Sequence, residues 1–416
     1  AATQRGKRPI SYVRLAPWEP RGGCGASVPQ FVGRSLSAVP CYRPAAMNTD
    51  NPILTPWKQG SLTLKNRVVM APMTRQKSPG GVPGADVARY YERRAQGGVG
   101  LIISEGTAID HPAANGYPDV PYIYGEAALA GWREVVRAVH AAGGKIMPQL
   151  WHVGAVRKPG TPPDPAVPGY SPAGMLKPGG KVVGHAMSES DIADVIASFA
   201  RAAADAQRIG FDGVELHGAH GYLLDQFFWE GTNPRTDGYG GSIEARARIG
   251  VEVVRAVRAA VGPDYPVMLR FSQWKQQDYA AKLALDTREL ARFLSPFVDA
   301  GVSLFHASTR RFYEPEFEGS NLNLAGHTQK ITGVPTVSVG SVGLDTEFTP
   351  SAGEAGFSSG KVHDLGRLYE RMARSEFDLV AVGRALIADP ELVNKIAEGR
   401  EGEIRGFDRK MLLTLD

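Results

Sequence analysis

Eight short apolar runs, most of them ending where chemically able side chains begin, constrain this chain more than any other feature. Val68 to Met73, Leu101 to Ser104, Ile146 to Leu150, Gly213 to Leu216, Val267 to Phe271, Ser303 to His306, Thr336 to Val339 and Leu379 to Val382 read as strands buried on both faces. Amphipathic stretches separate most of them, among them Gly125 to Ala142, Glu189 to Ile209, Ser242 to Val261, Thr287 to Ala300 and Leu365 to Ser375. Eight such units over about 350 residues predict one α/β domain, a (β/α)8 TIM barrel, rather than a doubly wound sheet. Ahead of them, LTPWKQGSLTLKNR reads as two extended pieces around Gln59 and Gly60, a hairpin suited to capping the barrel floor.

The 416 residues suffice for a barrel of this size, and no apolar run reaches the length of a membrane span. The net charge of +4 is misleading. Residues 1–48 carry seven Lys or Arg against the single acid Glu19, leaving 40 basic and 42 acidic residues in 49–416. The basic balance thus belongs to the leader and does not describe a nucleic-acid surface. That leader is rich in Arg, Ser, Ala, Pro and Gly and has no signal-peptide core, a composition like that of an organelle transit peptide, plastid or mitochondrial. Without such a role for the leader the barrel is expected in the cytoplasm. Both cysteines, Cys24 and Cys41, fall in the leader, so neither disulfides nor thiolate chemistry is expected of the barrel.

Active sites of such barrels gather at the carboxyl ends of the strands. Thr74 and Arg75 end the first run, Glu105 to Thr107 the second, Gln149 to His152 the third and Arg270 the fifth. The fourth leads into HGAHGYLLDQFF, where His217, His220 and Tyr222 are spaced by glycines. Alternation sends His220 and Tyr222 to one side, and His217 joins them only if the chain bends, which Gly218 and Gly221 permit. Two imidazoles and a phenol on one point can clasp an oxygen with two donors while the third group offers a proton. An HxxH pair can also hold a metal, but a third ligand is wanting, since Asp225 falls on a separate loop or short helix; no metal is expected. VGSVG after the seventh run and VGRAL after the eighth place Gly340, Ser341, Gly383 and Arg384 as a phosphate cradle. Neither GxGxxG nor a Walker motif opens the first strand, which argues against a Rossmann or P-loop enzyme.

NRVVMAPMTR (66–75), IISEGT (102–107), PQLWHVG (148–154), HGAHGYLLDQF (217–227) and NPRTDGYGGS (233–242), with the two phosphate glycines, resemble the Old Yellow Enzyme family of flavin-dependent ene-reductases, from about Leu54 to Gly399. The resemblance implies noncovalent FMN across the barrel mouth, its phosphate on Gly340, Ser341, Gly383 and Arg384. Pro72, Met73 and Thr74 would run along the ring, Gly106 and Gln149 would meet its edge, and Arg270 would face its pyrimidine side. It further implies NADPH or NADH as electron donor in a ping-pong cycle. The substrates would be small activated alkenes: unsaturated ketones, aldehydes, imides or nitroalkenes. His217 and His220 would bind the activating oxygen, Tyr222 would protonate the α-carbon, and Tyr117 and Trp151 would line the cleft. A monomer or small homo-oligomer is expected.

Several residues depart from the family pattern. Ala245 stands where asparagine is usual, and the tail MLLTLD lacks a substrate-side aromatic. RFSQWKQQDY and HASTRRFYEPEF are distinctive; in the latter, Arg310, Arg311, Phe312 and Tyr313 are candidates for one wall of the cleft. Residues 344–363 resemble an insertion, and His152 is expected only to satisfy hydrogen bonds. Two other functions fit parts of the pattern: a metal-dependent aldolase or isomerase on the same barrel, and a noncatalytic flavin-binding protein.

Overall fold

The computed structural model describes residues 51–346 and 359–416. The leader, and residues 347–358 of the expected insertion, lie outside the described residues. Eight parallel strands close into a barrel: β1 (Val68–Met70), β2 (Leu101–Ala108), β3 (Lys145–Trp151), β4 (Val214–His220), β5 (Val267–Lys275), β6 (Leu304–Ser308), β7 (Thr336–Val339) and β8 (Leu379–Val382). Each pairs with its sequence neighbours, and β8 closes on β1 through Val380 opposite Val68. Helices α1 (Ala85–Gln96), α2 (Glu126–Ala141), α3 (Glu189–Arg208), α4 (Ile243–Val261), α5 (Thr287–Asp299), α6 (Leu324–Thr332) and α7 (Gly366–Ala373) fill the crossovers. The (β/α)8 expectation therefore holds.

The helices begin where side chains satisfy the free amides of a first turn. Ser188 and Asp191 form a reciprocal capping box on α3, Asp286 accepts from two amides of α5, and Asn323 caps α6. Helix α6 has a weak apolar pattern, so its start is marked in the sequence chiefly by that Asn323 cap. On α4, Ser242 accepts from the Ala245 amide, a contact that asks nothing of the Ala245 side chain.

Strand parity sorts the core into two layers. Outward-facing Leu216, Leu269, Phe271 and Phe305 join the helices in one continuous cluster. Inward-facing Val69, Leu101, Ile103, Met147, Met268, Leu304, Val337 and Leu379 fill the barrel itself. The antiparallel hairpin Trp57–Gln59 with Leu62–Leu64 drives Trp57, Leu62 and Leu64 into that inner cluster, and so plugs the floor as expected. Burying side chains of this size contributes about 1.5–3 kcal/mol each, enough to make the floor rigid and leave the opposite mouth for chemistry.

Strand ends differ from the apolar runs in an informative way. The first stops at Met70, because Pro72 lacks an amide for a further ladder bond. β2 and β5 instead continue past their apolar stretches through Glu105, Thr107, Ser272, Gln273 and Lys275, all buried. Those polar residues remain in strands because each finds a partner at the mouth.

Candidate active site

A cavity of about 410 Å3 opens at the carboxyl ends of the strands. That volume suits a small-molecule or cofactor site. It is lined by Pro72, Met73, Thr74, Tyr117, Gln149, Trp151, His217, His220, Tyr222, Arg270, Gly340, Ser341, Gly383 and Arg384, all of them foreseen from the sequence. Among the described residues no helix is long and apolar enough to cross a membrane. Nor, among those residues, do three or more His, Cys, Asp or Glu side chains gather in a way that could hold a metal ion.

The end of β4 carries the reactive cluster. His220 has φ 65° and Gly221 φ 77°, so two consecutive left-handed residues turn the chain sharply out of the strand. A Cβ on Gly221 would fall 1.9 Å from Gln277 Oε1, the mobile end of a side chain, so the turn needs glycine for its conformation more than for space. The turn sets the His217 ring 5.2 Å from that of His220 and 5.0 Å from that of Tyr222, each edge to face. The bend thus lies at His220 and Gly221, while Gly218 serves close strand packing, with Arg270 O 3.1 Å from where its Cβ would stand.

Burial, and after it the Arg270 charge, hold both imidazoles well below the ordinary histidine pKa. Both are neutral near pH 7, each with one N–H to donate. Burial raises the Tyr222 phenol well above its ordinary value, so it keeps its proton. The Tyr222 hydroxyl lies 3.1 Å from that of Tyr117 and 3.0 Å from Gln276 Nε2. Trp151 stacks between Tyr117 and His217, at 5.3 and 6.2 Å, and fixes the wall that all three share.

Below the cluster, register places polar groups on the inward face. Gln149 pairs with Glu215, His217 with Arg270, and Arg270 with His306. Gln149 Nε2 donates to Glu215 Oε1 at 2.8 Å, and His306 Nδ1 meets Glu215 Oε2 at 2.6 Å. The Arg270 guanidinium is buried, its Nε has no protein hydrogen-bond partner, and its Nη2 donates to Ser308 Oγ at 3.5 Å. A buried cation with donors to spare is costly unless something negative or strongly accepting meets it.

At the far end of the cavity, Gly340 has φ 143°, and a Cβ there would fall 2.6 Å from Thr309 O. Only glycine fits that position. Gly383 is different, because a Cβ would meet only Met73 Sδ at 3.6 Å, and its backbone therefore borders open space. Arg384 donates to Thr346 O and lies over the Phe407 ring, which aims it along the cavity edge.

Some expectations need correction. Gly106 does not line the cavity: it lies on β2 opposite Gln149, and a Cβ there would strike Trp151 at 2.4 Å. Its smallness seats the indole instead. Of the proposed wall, only Arg310 reaches the cavity; Phe312 is buried in the core, Arg311 pairs with Glu314, and Tyr313 packs against that core beneath the Arg367 cation. His152 is satisfied as expected, by His111 Nδ1 at 3.0 Å and the Gly154 amide.

Sequence reasoning missed Gln76, Trp274, Gln276, Ser308 and Leu412, which also line the cavity. Trp274 stacks on His220 at 4.5 Å. Leu412 arrives because Arg75 Nη2 donates to Met411 O and Thr414 O, tying the tail to the mouth. The oddity of RFSQWKQQDY was a usable signal for Trp274 and Gln276; nothing local marked Leu412.

The family profile described as NADH:flavin oxidoreductase / NADH oxidase matches residues 52–356. The chain is 35% identical over 364 residues to 12-oxophytodienoate reductase 7 of Oryza sativa subsp. japonica, covering 83% of this chain and 87% of that one. It is also 35% identical over 357 residues to NADH oxidase of Thermoanaerobacter brockii, spanning 50% of that protein's length. Putative 12-oxophytodienoate reductase 2 of the same rice is 45% identical over 215 residues, 57% of its length. Among solved structures, morphinone reductase in complex with tetrahydroNAD superposes with a TM-score of 0.73 at 32% identity, covering 86% of this chain and 93% of that one. A closed barrel with this mouth, matched over most of its length, is an oxidoreductase fold of known kind, and the chain belongs to the Old Yellow Enzyme family of NADH:flavin oxidoreductases.

Proposed function

We propose that the protein is an FMN-dependent ene-reductase that uses NADPH or NADH to saturate the C=C bond of activated alkenes. The observation that carries this reading is the meeting of two neutral imidazole donors and a protonated phenol in one cavity above a buried cation.

The residues fit FMN on their own chemistry. Arg270, with a buried unpartnered Nε, suits a ring whose pyrimidine edge gains negative charge. Gly340, Ser341, Gly383 and Arg384 suit its phosphate, where backbone can come close and a guanidinium can bind two oxygens. Gln149, oriented by Glu215, offers its amide from the floor. When bound, the reduced flavin supplies a hydride for the β-carbon.

The protein's own residues do the rest. His217 and His220 donate to the carbonyl or nitro oxygen as it gains charge, which makes the β-carbon electrophilic. Tyr222 holds a proton for the α-carbon. Trp151, Trp274 and Leu412 exclude water from the alkene and orient its plane. A nicotinamide donor and the alkene would use this one cavity in turn, which gives ping-pong kinetics.

The test begins with colour. The purified protein is expected to be yellow, to bleach anaerobically with NADPH, and to regain colour on adding 2-cyclohexenone with loss of the enone. A yellow protein that never bleaches with either nucleotide would be a flavin binder without this activity. Bleaching without reoxidation by any enone, maleimide or nitroalkene would remove the alkene from the proposal.

A further inference from the structure

Of the distinctive run RFSQWKQQDY, Arg270 and Trp274 enter the scheme above and Gln276 does not, yet the run brings Gln276 to the acid. Gln276 Nε2 lies 3.0 Å from the Tyr222 hydroxyl, and the Tyr117 hydroxyl lies 3.1 Å from it. An amide nitrogen only donates, whereas a phenol hydroxyl both accepts and donates. Gln276 therefore occupies a lone pair of Tyr222 and cannot take its proton. The Tyr117 and Tyr222 hydroxyls can each donate to the other; when Tyr117 donates, the Tyr222 hydrogen is left to point into the cavity.

This arrangement is braced. Lys275, next to Gln276, forms an ion pair with Asp225 at 2.6 Å, both side chains fully buried. Asp225 in turn accepts from the Gly221 amide at 2.7 Å, next to Tyr222. The Gln276 backbone N–H donates to His220 O at 3.4 Å. The end of β5 and the turn after β4 are thus held together on both sides of the Gln276–Tyr222 contact. The other polar or charged groups facing the phenol are His217 from β4, Tyr117 from the loop after β2, and Arg270 from β5.

We propose that Gln276 is a positioning residue for proton delivery: with Tyr117 it aims the Tyr222 hydrogen at the substrate and solvates the oxygen left behind. The inference rests on the ene-reductase reading. Hydride from flavin, itself reduced by a nicotinamide nucleotide, reaches the β-carbon and leaves an enolate. The enolate's electron pair forms a C–H bond at the α-carbon while the Tyr222 O–H bond breaks. Tyr222 keeps the bonding pair as a phenolate, held by the Gln276 and Tyr117 donors until water reprotonates it.

The experiment compares Gln276→Leu, Gln276→Glu and Gln276→His with Tyr222→Phe, all with bound flavin, by anaerobic stopped flow. Flavin retention and far-UV circular dichroism show that the Gln276 variants fold, and the rate of reduction by NADPH is measured in each variant so that reoxidation can be judged separately. Reoxidation by 2-cyclohexenone should slow by about tenfold to a hundredfold in the Leu variant, as expected for loss of one charge-assisted hydrogen bond, with a larger solvent deuterium isotope effect. The Glu variant, whose carboxylate captures the phenol hydrogen, should be slower still; the His variant, which keeps a donor, should recover part of the rate. Apart from turnover, tyrosinate absorbance, with Tyr222→Phe as reference, should show Tyr222 ionising at higher pH in the Leu variant. Parental reoxidation together with an unchanged phenol titration in that variant would overturn the role of Gln276 alone. If Tyr222→Phe itself leaves reoxidation and its isotope effect unchanged, the assignment of the acid fails instead.

Discussion

Ser308 Oγ stands 2.8 Å from His220 Nε2, so a hydroxyl from β6 meets the ring nitrogen on which the tautomer turns. Arg270 Nη2, which can only donate, approaches the same oxygen at 3.5 Å, and a Ser308 hydroxyl that gives its hydrogen to Nε2 would favour the tautomer protonated at Nδ1. Ser308→Ala should release this preference and lower enone turnover about tenfold, the worth of roughly one hydrogen bond of 1.4 kcal/mol. Nitrogen-15 chemical shifts of His220 would report the tautomer directly; an unchanged Nδ1–H ring in the variant would disprove the relay.

Replacing His217 and His220 together by Ala should leave the flavin bound, because the proposed phosphate cradle of Gly340, Ser341, Gly383 and Arg384 lies at the far end of the cavity. Loss of a single oxyanion donor typically costs about 10²–10³ in rate, so enone reduction should fall by at least about 10³ in the pair. Stopped-flow rates of the two half-reactions separate these effects. Parental reoxidation would show that the substrate oxygen binds elsewhere.

Glu105 sits under the loop after β1, where its Oε2 accepts the Arg75 and Gln76 amides at 2.8 and 3.1 Å. Burial outweighs those amides and raises its pKa from 4.5 to about 7. Between these values the folded protein binds more protons than the unfolded chain, so this group costs stability as pH rises from about 4.5 and the whole cost, roughly 3 kcal/mol, is present above 7. Glu105→Gln keeps an oxygen for both amides and removes the charge. Urea unfolding at pH 5 and 8 should show the variant gaining on the parent at the higher pH only.

Lys275→Met strands Asp225 as an unpaired charge, since both side chains are fully buried. The expected loss is about 3–5 kcal/mol by urea unfolding. Adding Asp225→Asn should recover much of it, because asparagine still accepts the Gly221 amide. A double variant no more stable than the single one would mean that the pair does not act through charge.

Gly340→Ala forces a side chain into a left-handed backbone against Thr309 O, and Arg384→Ala removes a cation from the same end. Both should weaken flavin retention by about tenfold or more while leaving the barrel folded, with Arg384→Ala losing salt sensitivity of binding as well. Fluorescence of released flavin after gel filtration measures the first, and far-UV circular dichroism the second. Tight retention in both variants would move the phosphate away from this end.

The sequence by itself determined the barrel and most of its mouth. Parallel strands buried on both faces appear as continuous apolar runs, and the groups that end them are local to those runs, so Thr74, Gln149, His217, Arg270, Gly340 and Arg384 could be read at their strand ends. Only the tertiary structure decided what those groups touch. Closure sets β4 beside β5, so Lys275 finds Asp225 fifty residues away and the strand continues past the apolar run that ends at Phe271. It likewise brings Gln276 to Tyr222, Ser308 to His220, and Leu412 to the cavity through Arg75, while turning Gly106 to the service of Trp151. Periodicity is written within a single element, but the partner of a polar side chain at a barrel mouth is chosen by the register between elements far apart in the chain.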